Sequence, residues 1–138
     1  MGKFGLSPQE IDLVIFTHLH WDHCFNLENF SQATFFIQKS ELKYAVDPLP
    51  VERKPYEVGI PGVQPPWMKV FGKMVKLDGD QQIIPGIRVM HVPGHTPGCQ
   101  CVIVETSEGP WVIAGDMIPL WENWKGDGTL DHIPGGDF

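Results

Sequence analysis

The chain has 138 residues, 42% of them hydrophobic, which is enough for one domain with a hydrophobic core and too few for two. Its 10 Lys and Arg residues against 17 Asp and Glu residues give a net charge of −7, so nucleic acid and anionic membrane surfaces are not expected partners. No apolar run approaches the roughly 20 residues of a membrane helix, and no secretory signal is visible. Three cysteines without a repeated framework favour a reducing compartment, so we expect a cytoplasmic protein.

The first third of the chain alternates strand and helix. Residues 7–10, Ser-Pro-Gln-Glu, have the pattern of a helix start, with Ser as N-cap, Pro at the first helical position and Glu completing a capping box. The apolar run 11–17, with its β-branched residues, predicts a buried strand. Residues 33–38 predict a second strand, and a short helix is expected at about 39–46.

The middle of the chain is rich in proline and the last part is β-rich. Six prolines between about residues 47 and 67 predict a long loop without regular structure, and its aromatic Tyr56 and Trp67 favour a binding loop. Apolar runs separated by glycines then predict strands and two hairpins. These predicted strands cover residues 74–77, 82–84, 87–92, 100–106 and 111–114.

Four potential metal ligands lie within six residues at the exit of the first predicted strand: His18, His20, Asp22 and His23. Imidazole nitrogens and carboxylate oxygens are both zinc ligands. His18 and His20, two apart in extended backbone, point to the same side and are placed to bind one metal. Asp22 and His23, past the strand, are placed to turn toward a second metal. The alternative is a solvated polar loop, but the spacing repeats a known ligand pattern.

Two further candidates follow in the β-rich part. His95 lies in the sequence Val-Pro-Gly-His-Thr-Pro-Gly, where Pro and Gly on both sides predict a rigid turn between two strands. Asp116 ends another apolar run, directly after a Gly that permits close backbone approach. Taken alone, a turn histidine and a strand-end aspartate would be unremarkable. Because they follow the first cluster, we expect His95 to be a third nitrogen ligand and Asp116 to be placed where it can bridge two metals.

These motifs resemble the metallo-beta-lactamase superfamily, and residues 94–100 with 114–116 and the following Glu122-Asn123 are most similar to its N-acyl homoserine lactone lactonase branch. The resemblance implies an α/β fold, a stacked αββα sandwich with the site at one edge. It also implies that a hydroxide bridging two metal ions attacks an ester carbonyl while one metal polarises the carbonyl oxygen. In this reading His18, His20 and His95 bind the first metal, Asp22 and His23 contribute to the second, Asp116 bridges the pair, and Asp22 and Asp116 are the catalytic carboxylates.

The chain departs from the family pattern at both ends. Only about sixteen residues precede His18, where family members have a further strand layer. Family members also have a last ligating histidine well beyond the bridging Asp, and His132 comes too soon after Asp116 to be that ligand. We therefore expect a central fragment, one partial domain over residues 1–138, with a complete first metal site and an incomplete second one. A half-sandwich exposes an apolar sheet face, so self-association or a missing partner segment is expected. Met117, Ile118 and Pro119 stand where the lactonases often have a substrate-contacting Tyr.

Three functions stay open at this point. The first is a metal-dependent hydrolase that opens a lactone such as an N-acyl homoserine lactone. The others are a thioester or other ester hydrolase of the same superfamily, and an inactive fragment that keeps a zinc ion as a structural staple. The cofactor expected is zinc, as two ions, although such nitrogen and oxygen ligands also accept iron, manganese or cobalt.

The remaining histidine and cysteine candidates are assigned to packing. His91 is expected to be hydrogen-bonded rather than a ligand, and Cys24, Cys99 and Cys101 are expected to be buried thiols. Aromatic residues near the site would suit an acyl chain, with ordinary packing as the alternative. These aromatic residues are Trp21, Trp67, Trp121 and Trp124.

Overall fold

The computed structural model describes residues 2–118, and its first sheet is parallel, with strand order β1-β2-β3. Side chains of β2 alternate between two faces, as the two-residue period of a strand requires. Phe35 and Ile37 join a core cluster shared with the helical segments, whereas Phe36 faces the second sheet. The strands are β1 (Leu13–Ile15), β2 (Thr34–Gln38) and β3 (Met74–Leu77).

The second sheet is antiparallel, with strand order β4-β5-β6-β7. Gly86 and Gly109 have φ values of +81° and +105° at its two tight turns, a backbone conformation that favours glycine. The two predicted hairpins are therefore confirmed, and the connection between them, from β5 to β6, carries His95. The strands are β4 (Gln81–Ile84), β5 (Ile87–His91), β6 (Gln100–Thr106) and β7 (Gly109–Ile113).

The two sheets pack face to face. Leu77, Val89 and Val102 form a buried cluster with Ile15 and Phe36, so side chains of both sheets interdigitate. A polar contact also joins the sheets, because the Gln38 side-chain amide donates to Gln100 Oε1 at 2.8 Å. These contacts fix the sheet that carries His95 and Asp116 relative to the sheet that carries His18.

Helical segments cover the outer face of the parallel sheet. They are α1 (Lys39–Val46), α2 (Arg53–Tyr56) and a 3₁₀ segment, Pro66–Lys73. Their buried side chains and those of β2 form the larger core cluster. Helical segments, parallel sheet and antiparallel sheet thus form three successive layers, and the expected partial αββα sandwich is confirmed. None of the helices within residues 2–118 is long and apolar enough to cross a membrane.

Two predictions of local structure need correction. The proline-rich segment 47–67 is not devoid of regular structure, because it contains the 3₁₀ turn Pro50–Glu52 and the helix α2. Proline is compatible with the first turn of a helix, where its missing N–H has no intrahelical partner. The first strand is also shorter than predicted: β1 covers Leu13–Ile15 and is only half-buried. The capping box at residues 7–10 is confirmed.

Strand β7 presents exposed apolar side chains at the edge of the second sheet. Trp111, Val112 and Ile113 are 65%, 51% and 55% exposed. An unpaired edge strand with apolar side chains is a template for association. We predict that the 138-residue chain self-associates and that Trp111→Lys shifts it toward the monomer in light scattering. Phe4→Lys is the matched control, since Phe4 is an apolar residue that is 79% exposed but does not belong to β7. A wild-type chain that is monomeric at every concentration would refute the prediction.

Candidate metal centre

The predicted ligands lie on three connections that meet at one end of the two sheets. His18 and His20 follow β1, and Asp22 and His23 belong to the 3₁₀ turn Trp21–His23. His95 lies between β5 and β6, and Asp116 lies in a 3₁₀ turn after β7. Each residue thus extends beyond the end of a strand that is held in one of the packed sheets.

The first group of potential ligands consists of His18, His20 and His95, whose ligand atoms all lie within 4.8 Å of one another. His20 Nδ1 and His95 Nε2 are 3.1 Å apart. Two nitrogens bound to the same tetrahedral zinc would be about 3.3 Å apart, given zinc–nitrogen bonds of about 2.0 to 2.1 Å. His18 Nε2 is buried and has no hydrogen-bond partner among the described residues, as expected of an atom reserved for a metal. The geometry of the first group therefore fits a metal ion.

Burial and mutual repulsion keep two of these imidazoles neutral. Burial, followed by the positive charges that His20, His23 and His95 would carry, lowers the pKa of His18 to about 2. Burial and His95 lower the pKa of His20 to about 4. Both side chains are therefore unprotonated at neutral pH, which is the form that binds a metal, so no proton has to be displaced.

The second group consists of His18, His23 and Asp116. Asp116 Oδ2 lies 3.1 Å from His23 Nε2, 3.9 Å from His18 Nε2 and 3.6 Å from His95 Nε2. A single carboxylate oxygen thus faces imidazoles of both groups, which is the position expected of a bridging carboxylate. The two groups also have His18 in common.

The backbone before Asp116 is held close to the first loop. Gly115 has a φ of +58°, and a Cβ built on it would lie 2.9 Å from Thr17 Oγ1. A larger residue would be strained by both its φ angle and its contact with Thr17. This confirms the prediction that the glycine permits close backbone approach, and it explains how Asp116 reaches the histidines after β1.

The structure places Asp22 beside the second group but outside both groups. Its Oδ2 lies 3.4 Å from His23 Nε2, and its side chain is 52% exposed. Its role as a ligand stays a prediction. His132, weighed as the last ligand, lies outside the described residues, as do Trp121, Glu122, Asn123 and Trp124.

Residues that the sequence did not assign to the metal site surround the first group. Glu41 is fully buried in α1 and accepts a hydrogen bond from the Leu19 N–H, between two of the histidines. Tyr56 packs edge-on against His20 with ring centroids 4.6 Å apart. Glu52 Oε2 lies 3.8 Å from His20 Nε2. Glu41 had one sequence signal: it shares a helix face with Ala45, where an apolar residue is expected.

The remaining sequence predictions have clear outcomes. His91 is hydrogen-bonded, with its Nε2 3.2 Å from the Pro97 carbonyl oxygen, as predicted. All three cysteines are buried and unpaired, also as predicted, and burial raises the pKa of Cys24 to about 12. The assignment of Tyr56 and Trp67 to a binding loop is wrong, because both are buried core residues. The hydroxyl of Tyr56 donates to Glu41 and does not face solvent.

Comparison with known proteins places this arrangement in a family. The model of the metallo-beta-lactamase superfamily matches residues 1–137. The chain belongs to the metallo-beta-lactamase superfamily. An N-acyl homoserine lactonase from Bacillus cereus is 28% identical over 140 residues, which cover all of this chain and 49% of that protein. The chain spans about half the length of the curated relatives it matches.

Solved structures of other proteins share the fold. Bacillus thuringiensis AiiA, solved with N-decanoyl-L-homoserine bound at its active site, has a TM-score of 0.68 and 24% identity, covering 90% of this chain and 45% of AiiA. AidC, described as a dizinc quorum-quenching lactonase, has a TM-score of 0.70 and 22% identity, covering 85% of this chain and 45% of AidC. These likenesses support the partial sandwich fold of the chain.

Proposed function

We propose that this chain forms the metal centre of a hydrolase that opens a lactone ring of the N-acyl homoserine lactone type. The observation that carries the proposal is the Asp116 carboxylate oxygen, which lies within 3.9 Å of imidazole nitrogens from both ligand groups. Two ligand groups on either side of one carboxylate fit a two-metal hydrolase better than a single structural zinc, which needs one closed set of four ligands.

The residues divide naturally between two ions. His18, His20 and His95 would hold the first ion, while Asp22 and His23 would contribute to the second and Asp116 to both. A bound pair of divalent ions supplies Lewis acidity and a water of lowered pKa. Zinc, as two ions, is the metal we propose, because AidC is described as a dizinc enzyme. Iron, manganese or cobalt would also suit these ligands.

The side chains of this protein orient the substrate and the metals. The three histidines of the first group lie toward the protein interior, whereas Asp22 and Asp116 are 52% and 40% exposed, so substrate would approach from the carboxylate side. Trp21, directly before Asp22, is 42% exposed and packs edge-on against the exposed Phe25, with ring centroids 5.4 Å apart. This aromatic pair offers an apolar surface beside the site that would suit an acyl chain.

The rival functions differ in substrate or in activity. A thioester or other ester hydrolase would use the same ligands, and an inactive fragment would keep the first group as a zinc staple. The curated relatives named N-acyl homoserine lactonase favour the lactone. The three unpaired cysteines support our further proposal of a cytoplasmic location.

The proposed activity is tested with zinc-loaded protein and N-hexanoyl homoserine lactone. Ring opening by water yields a hydroxy acid that releases a proton near neutral pH, so turnover is followed by proton release and by mass spectrometry of the opened product. We expect turnover that a chelator abolishes and zinc restores. We also expect Trp21→Ala to raise KM about tenfold for a long acyl chain, through lost apolar burial, and much less for a short chain.

The substrates and the metal content separate the rival functions. Faster hydrolysis of an acyl thioester than of the lactone would contradict the lactonase proposal and favour the thioesterase. Bound zinc without turnover of any ester would favour the inactive zinc-binding fragment.

A further inference from the structure

A buried carboxylate lies behind the first ligand group. Glu41, the third residue of α1, is 0% exposed, and burial raises the pKa of its carboxyl group although four hydrogen-bond donors counteract this effect. Burying a carboxylate is costly unless its oxygens are fully hydrogen-bonded. The partners of Glu41 therefore indicate what the residue is for.

The two oxygens of Glu41 accept hydrogen bonds from separate parts of the chain. Oε1 accepts from the Leu19 N–H at 2.9 Å and from the Tyr56 hydroxyl at 2.8 Å. Oε2 accepts from the Thr96 hydroxyl at 2.6 Å and from the Gly98 N–H at 3.2 Å. One oxygen thus holds the connection after β1, and the other holds the connection between β5 and β6.

Three of these four donors lie next to a histidine of the first group. Leu19 is between His18 and His20, and the ring of Tyr56 packs against His20. Thr96 directly follows His95. The three histidines come from two connections that are far apart in sequence, and the Glu41 carboxylate bonds to both.

We propose that Glu41 is a positioning residue that fixes the distance between the two connections carrying His18, His20 and His95, and thereby sets the metal affinity of the first group. This inference rests on the proposed function in one respect, that the group binds a metal. In known metal sites, losing the hydrogen bonds that orient the metal ligands weakens metal affinity by about 10- to 100-fold.

Glutamine at this position would retain the shape of Glu41 but not its four acceptor contacts. Its amide has one oxygen and one NH₂ group, and the NH₂ group would face either the Leu19 N–H or the Gly98 N–H, both of which can only donate. One connection would lose the hydrogen bond from its backbone N–H whichever way the amide is turned. Glu41→Gln therefore releases one ligand-bearing connection without removing packing volume.

The test compares zinc and cobalt binding by the wild-type chain and Glu41→Gln. We expect the variant to fold, by circular dichroism, but to bind zinc about 10- to 100-fold more weakly. Its cobalt complex should show shifted d–d absorption bands, because these bands report the ligand geometry. The control is Leu42→Val, which removes a buried methylene group from the neighbouring residue of the same helix. It should lower the melting temperature and leave zinc affinity and the cobalt bands unchanged.

Tyr56→Phe gives a second, milder test. It removes one hydrogen-bond donor to Glu41 and keeps the ring against His20, so a several-fold loss of zinc affinity is expected. If Glu41→Gln fails to fold, Tyr56→Phe decides whether Glu41 sets the metal affinity of the first group. Wild-type affinity and cobalt bands in the folded variants would overturn the role of Glu41 alone. A wild-type chain that binds neither zinc nor cobalt would overturn the proposed metal centre as well.

Discussion

Replacing His18 with alanine is expected to abolish metal binding by the first ligand group, to which the proposed centre assigns it, and to remove a neighbour of the second. His18 is the residue that the two groups share, whereas His95 belongs only to the first and His23 only to the second. Loss of a hydrogen bond that orients a metal ligand already costs about 10- to 100-fold in affinity, so loss of the ligand His18 itself should cost the first group more than about 100-fold. His95→Ala and His23→Ala should each weaken one group and spare the other.

Zinc titration followed by thermal melting measures this effect. A ligand at 100 times its Kd raises the free energy of unfolding by about 2.7 kcal/mol, so zinc should raise the melting temperature of the wild-type chain by clearly more than that of His18→Ala. His91→Gln is the control, because His91 lies outside both groups. A zinc-dependent rise in His18→Ala equal to that of the wild type would contradict the assignment.

Gly98→Ala is expected to destabilise the fold strongly. A Cβ built on Gly98 would overlap the backbone nitrogen and the Cα of Glu41, neither of which can move without shifting α1 or the connection that carries His95. Overpacking in a core costs about 1 to 3 kcal/mol, and overlap with backbone should reach the upper end of this range or exceed it.

Gly94→Ala provides a matched control on the same connection. A Cβ built there would meet nothing within 4 Å, so the change should alter the free energy of unfolding by less than about 0.5 kcal/mol. Urea denaturation of the metal-free chain measures both variants. Equal midpoints for the two alanine variants would show that the close approach of Gly98 to α1 is not needed.

The regular elements of this chain follow closely from its local sequence. The helix at residues 39–46 and the strands at 74–77 and 100–106 have the predicted bounds. Hydrophobic periodicity and the glycines between strands predict these bounds, and both signals can be read within a few neighbouring residues. The proline-rich segment was misjudged because a proline count does not distinguish a loop from short helical turns that begin with proline.

The metal ligands of the candidate site could be predicted from the sequence, but the residues that position those ligands could not. His18, His20 and His95 form recognisable patterns, and the fold brings them together. Glu41 was missed because its role depends on donors 15 to 57 residues away in sequence, and such contacts leave no local pattern. Tyr56 was assigned to a binding loop for a related reason, since an aromatic residue has the same sequence signature in a loop and in a core.

Metal content per chain, measured by elemental analysis on the sample that is assayed for lactone hydrolysis, tests the central claim most directly. The account predicts about two zinc ions per chain together with opening of N-hexanoyl homoserine lactone. One ion or none, without turnover, would contradict the two-metal lactonase and assign the activity to a longer protein of which this chain is a part.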